Sequence, residues 1–112
     1  MGFSFIPPLY LLSSAIITLK GGDYMSTTFD GAVIKEQGVT FAIAVVKRGT
    51  LSNSLQKKDA LSYFSRFFGD IPTVLMEQDI HGVPQYYGRK DIVKFLSSVH
   101  PSRIPWKRYT IN

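Results

Sequence analysis

A chain of 112 residues, 45% hydrophobic and 19% charged, has the composition of one folded domain with a modest core, not of a disordered segment. It contains no cysteine, which excludes thiol catalysis, disulfides, iron–sulfur clusters and every cysteine-ligated zinc site, and fits a reducing, cytoplasmic setting. The net charge of +5 points towards an anionic partner once it is located along the chain.

Residues 1–24 form an apolar opening around "LYLLSSAIITL". That run is about half the ~20 residues needed to cross a bilayer as a helix, and Pro7-Pro8 precede it, so no membrane role is expected. No basic residue stands before it and no A-x-A pattern follows, so it does not read as a secretory signal. The "KGGD" before Met25 can be encoded by the purine-rich sequence that bacterial ribosomes pair with. On that reading, residues 1–24 are translated leader and a bacterial protein begins at Met25. The alternative is a genuine but loosely packed N-terminal segment, since Gly-Gly is also ordinary loop chemistry. Either way, residues 25–112 are expected to make a single small α+β domain.

"FDGAVIKEQGVTFAIAVVK" predicts a hairpin turning at Glu36-Gln37-Gly38. Its second arm is apolar on both faces, with Phe41, Ile43 and Val45 on one and the smaller Ala42, Ala44 and Val46 on the other, the pattern of a central strand. "NSLQKKDALSYFSRFFG" switches to helical period, with Asn53 as its cap and Gly69 as its stop. "IPTVLMEQDIHGVPQYYG" predicts a second strand pair turning around Asp79 to Gly82, with Pro84 on an edge. "RKDIVKFLSSVHP" predicts a second helix ended by Pro101.

The expected order is therefore ββαββα, a four-stranded mixed sheet with the strands before and after the first helix parallel. Both helices are expected on the face bearing the larger side chains. The Ala42, Ala44 and Val46 face would then be left open, and self-association into a homodimer through it is expected.

"IPTVLMEQD" followed by "VPQYYGRKDIVKFLSSV" resembles the last two strands and helix of the thioredoxin superfamily. The likeness covers less than a third of the chain and lacks the paired cysteines of that family, so it is taken as shared ββα geometry. Asp30, followed on the next strand by Val45-Val46-Lys47, is similar to a nuclease core in which an acid-x-Lys motif holds Mg²⁺. Here Val45 stands where the second acid belongs, and hard-metal catalysis wants more than one carboxylate. Asp30 is instead expected to cap a turn with Gly31.

Three further groups are candidates for chemistry. In "EQDIH", Glu77, Asp79 and His81 alternate, so an extended strand would point all three one way for a divalent metal or a hydrolase; polar hairpin chemistry is the competing reading. In "YYGRKD", Gly88 opens a helix whose free N–H groups, beside Arg89 and Lys90, suit a phosphate or carboxylate. His100 is expected to serve the dipole at the end of that helix.

The excess charge lies at the C-terminal end. Residues 25–88 balance, whereas after Gly88 come Arg89, Lys90, Lys94, Arg103, Lys107 and Arg108 against Asp91 alone. Trp106 and Tyr109 are interleaved with the last of these, a mixture that suits base stacking in single-stranded nucleic acid. For Trp106 the favoured reading is that it fastens the tail to the sheet, which would also fix the flanking cations in place. The expectation is a binding module, without catalysis or cofactor, that docks nucleic acid or an acidic protein surface through Gly88, Arg89, Lys90, Lys94, Arg103, Lys107 and Arg108. A structural or regulatory protein acting through the open sheet face is the alternative.

Overall fold

The computed structural model describes residues 27–111; the reading of residues 1–24 lies outside them. The elements in chain order are β1 (Thr27–Glu36), β2 (Val39–Val45), α1 (Ser54–Phe67), β3 (Thr73–Gln78), β4 (Pro84–Tyr87), α2 (Lys90–Ser97), a 3-10 turn at Pro101–Arg103 and β5 (Lys107–Ile111). They build an α+β domain on one mixed sheet of order β4-β3-β2-β1-β5. β2 and β3 run parallel, and every other neighbouring pair is antiparallel.

The local signals act as their chemistry requires. Gln37 and Gly38 both take positive φ, +51° and +82°, and Glu36 faces Val39 across the turn. This is the two-residue turn whose twist matches a β-hairpin. The Asn53 side chain accepts the Gln56 N–H at 2.9 Å and so caps α1, a bond worth about 1 kcal/mol. Pro84, which has no N–H for a ladder, sits in the edge strand β4.

Two expectations are corrected. The sheet has five strands, not four, because Lys107–Ile111 leaves the tail and pairs with β1, Phe29 facing Tyr109 and Asp30 facing Arg108. The helices also lie on opposite faces. One core gathers Phe29, Ala44, Val46, Ala60, Phe64, Leu75 and Ile111 beneath α1. The other gathers Ala32, Phe41, Ile43, Val74, Met76, Ile92, Leu96 and Ile104 beneath α2 and the segment after it.

The small residues of β2 make room for α1 and its bulky Phe64, while the larger Phe41 and Ile43 meet the slimmer stripe of α2. Gly88 helps to deliver α2 to its side. A Cβ there would stand 2.9 Å from Val74 Cγ2, so only a glycine lets the chain leave β4 this close to a core residue of the α2 face. Ala44 is fully buried and Val46 nearly so; the face expected to remain open for a second copy is thus covered by α1.

β5 is fastened by aromatic packing. The Tyr109 ring stacks on Phe29 with centroids 5.3 Å apart and meets Phe67 and Phe68 edge-on, while Phe29 also packs on Phe64 at 4.7 Å. Pairs of this kind contribute about 0.5–1.5 kcal/mol each beyond the area they bury. Gly31 lies against an edge of both rings of the stack. A Cβ at this position would be 2.8 Å from the Ile43 carbonyl oxygen and 3.2 Å from both Phe29 and Tyr109. Gly31→Ala is therefore expected to destabilise the domain by about 1–3 kcal/mol in urea unfolding; an unchanged midpoint would show that the sheet and the ring stack tolerate a methyl group there.

Candidate anion-binding surface

The basic residues after Gly88 do not share one environment. Arg89 precedes α2 and donates from Nε and an Nη nitrogen to the two carboxylate oxygens of Asp91, both at 2.8 Å. One of those oxygens also accepts the Ile92 N–H at 2.9 Å. The chain's own carboxylate thus occupies the helix start proposed for a bound anion, where the dipole favours negative charge. Hydrogen bonding to Arg89 holds the Asp91 carboxyl down at about 2, and the same bond pushes the Arg89 guanidinium up. With Gly88 serving packing and Arg89 taken by Asp91, "YYGRKD" is a self-satisfied helix start.

Arg108 is taken as well. Its Nε donates to Asp30 Oδ1 at 2.5 Å across the β1–β5 pair. Asp30 is therefore a mid-strand ion-pair partner; it caps no turn with Gly31. The residue at the second nuclease-like position, Val45, packs in the α2 core. Nothing at either position in the sequence marks this pair, because its members are 78 residues apart.

The two rings of the tail part company. Trp106 packs in the α2 core and donates its indole N–H to the Pro101 carbonyl at 2.9 Å, whereas Tyr109 belongs to the aromatic cluster on the α1 side. They lie on opposite faces of the sheet and form no joint platform for stacked bases. His100 accepts the Ser102 N–H at 3.1 Å and caps the 3-10 turn, a local role in place of the dipole role expected for it.

Glu77, Asp79 and His81 are not brought together. The Glu77 carboxylate is buried and accepts the Leu51 N–H at 2.8 Å. The Asp79 carboxylate accepts the N–H groups of His81 and Val83 at 2.8 and 2.9 Å, and the His81 side chain is exposed. The alternation expected of a strand is lost because β3 ends at Gln78. Among the described residues no group of three His, Cys, Asp or Glu could hold a metal ion. Burial raises the Tyr63 phenol to about 12 and pushes Tyr86 up as well, so neither serves as a base near neutral pH.

Four cations remain: Lys90, Lys94, Arg103 and Lys107 are exposed and make no salt bridge among the described residues. Lys90 and Lys94, four apart on α2, are neighbours on the helix surface. Arg103 belongs to the segment whose Val99, Ile104 and Trp106 pack on the same sheet face as α2. Lys107, by contrast, approaches the Tyr109 ring on the α1 side, with Nζ 5.9 Å from its centroid. No helix among the described residues is long and apolar enough to cross a membrane.

Comparison of the chain with known protein families, with curated proteins and with solved structures gives no match in any of the three. The Arg89–Asp91 pair has a measurable signature. A carboxyl depressed from its ordinary 3.8 to about 2 lends stability that is fully present above 3.8 and is lost as the pH falls through 2. In NMR titration the Asp91 carboxyl should show a midpoint near 2, and Arg89→Gln should return it towards 3.8; an unchanged midpoint in the variant would remove Arg89 as the cause.

Proposed function

We propose that this chain is a small non-catalytic binding module that docks an anionic partner, a nucleic acid or an acidic protein face, through Lys90, Lys94 and Arg103, with Lys107 contributing from the opposite side. The observation that carries this reading is the division of the basic segment. Arg89 and Arg108 each have an intramolecular carboxylate, while Lys90, Lys94 and Arg103 are exposed without one in a single layer over one sheet face. Uncompensated neighbouring cations raise the local potential and attract polyanions by releasing counterions from them.

The packing of Trp106 and Tyr109 shapes the reading. Their rings are engaged in separate cores, so the affinity is electrostatic in character, with little dependence on base identity. Self-association is not needed for it, and the sheet edges are poor places for self-pairing. β4 contains Pro84, and β5 begins with Lys107 and Arg108, both devices that discourage strand pairing.

The test is the salt dependence of binding to a single-stranded oligonucleotide. Each phosphate contact contributes about −0.7 to the log–log slope. Changing Lys90, Lys94 and Arg103 together to Gln should flatten it by about two units. Arg108→Gln should leave it nearly unchanged, because that charge is already balanced by Asp30. A triple variant that folds and keeps the parental slope, or a parent that binds no polyanion at low salt, would overturn the proposal.

A further inference from the structure

Of the three cations on the α2 side, Lys90 and Lys94 stand on a regular α-helix, whereas Arg103 ends the 3-10 turn Pro101–Arg103. A 3-10 turn has poorer hydrogen-bond geometry than an α-helix and persists only in short pieces. A charge presented from it stays in place only if the turn itself is held.

The C-terminal end of the turn is tied to the core. The Pro101 carbonyl accepts two bonds, from the Ile104 N–H at 3.1 Å and from the Trp106 indole N–H at 2.9 Å, and Ile104 is buried. Within the turn, the Arg103 N–H donates to the His100 carbonyl at 2.9 Å. The N-terminal end is exposed and depends on a side chain. His100 stands at the N-cap with extended φ and ψ, and its Nδ1 accepts the Ser102 N–H at 3.1 Å.

That bond fixes the chemistry of the ring. A nitrogen that accepts an N–H carries no proton, so neutral His100 holds its proton on Nε2. Nδ1 also lies 2.8 Å from Ser102 Oγ, and unprotonated it accepts from the hydroxyl as well. The imidazole thus does what Asn, Asp or Ser does at the start of an α-helix.

We infer that His100 is a positioning residue for Arg103: it acts through the turn, without touching the anion, to present the guanidinium beside the Lys90 and Lys94 layer. This role rests on the docking of a polyanion proposed above. Without the cap, Ser102 and Arg103 leave the turn, and the freed side chain must be ordered again for each phosphate it meets.

The salt dependence of binding of the full chain to a single-stranded oligonucleotide tests this role. His100→Ala should flatten the log–log slope by about 0.7, the share of one phosphate contact and the same loss as Arg103→Gln. Made in the Arg103→Gln background, His100→Ala should change the slope no further, because both substitutions remove one contact. His100→Asn, whose side-chain oxygen can accept the Ser102 N–H, should restore the parental slope. In ¹⁵N NMR of the parent above neutral pH, the proton of His100 should sit on Nε2. The Ser102 amide resonance should move in His100→Ala and return in His100→Asn, which separates loss of the cap from loss of the fold. An unchanged slope in His100→Ala, additive losses in the double variant, no rescue by Asn, or a proton on Nδ1 would overturn the role while leaving the docking surface standing. A parent that binds no polyanion at low salt would remove both.

Discussion

The parallel pairing of β2 with β3 is the constraint on which the rest of the domain depends. Two parallel neighbours must be joined by a crossover, and strands buried on both faces must be covered on both. Val74, Leu75 and Met76 are successive buried residues of β3, and Phe41 through Ala44 of β2, so polar residues on either face would be stranded without water. α1 supplies the crossover and one cover; α2, with Ile104 and Trp106 behind it, supplies the other. What is left for recognition is the periphery: the outer side of the α2 layer, the edge strands and the loops at the two ends.

Elements whose signals are local were legible in the sequence. The hairpin at Gln37-Gly38, the cap at Asn53 and the edge position of Pro84 each follow from the conformational preferences of one or two residues. The choice of face for each helix was not, because it depends on how closely the chain passes Val74 at Gly88 and on the fit of Phe64 above Ala44, which are contacts between distant segments. β5 was hidden for a related reason. Its two leading cations read as part of an anion-binding segment, and its inward residues, Tyr109 and Ile111, find their partners only on β1 and α1.

The candidate site shows the same division. That the excess charge lies after Gly88 is readable from the sequence, but which cations are available is not. Asp30 neutralises Arg108 from the other end of the chain, and Asp91 turns towards Arg89 instead of leaving the helix start to a ligand. The alternation of Glu77, Asp79 and His81 suggested a shared ligand set. It dissolved because the strand stops short and two backbone segments, the Leu51 loop and the Asp79 loop, claim the carboxylates first. In both places intramolecular hydrogen bonds decide which polar groups remain for a partner.

The closure of both sheet faces is tested most directly at Ala44, which lies under α1 in the core formed with Ala60 and Phe64. Ala44→Glu would force a carboxylate into that contact with no partner for its charge. This variant should either fail to fold or lose more than about 3 kcal/mol in denaturant unfolding. An Ala44→Glu chain that unfolds cooperatively at the parental midpoint would contradict it, showing that the small-residue face of β2 is open to water and that α1 does not close it.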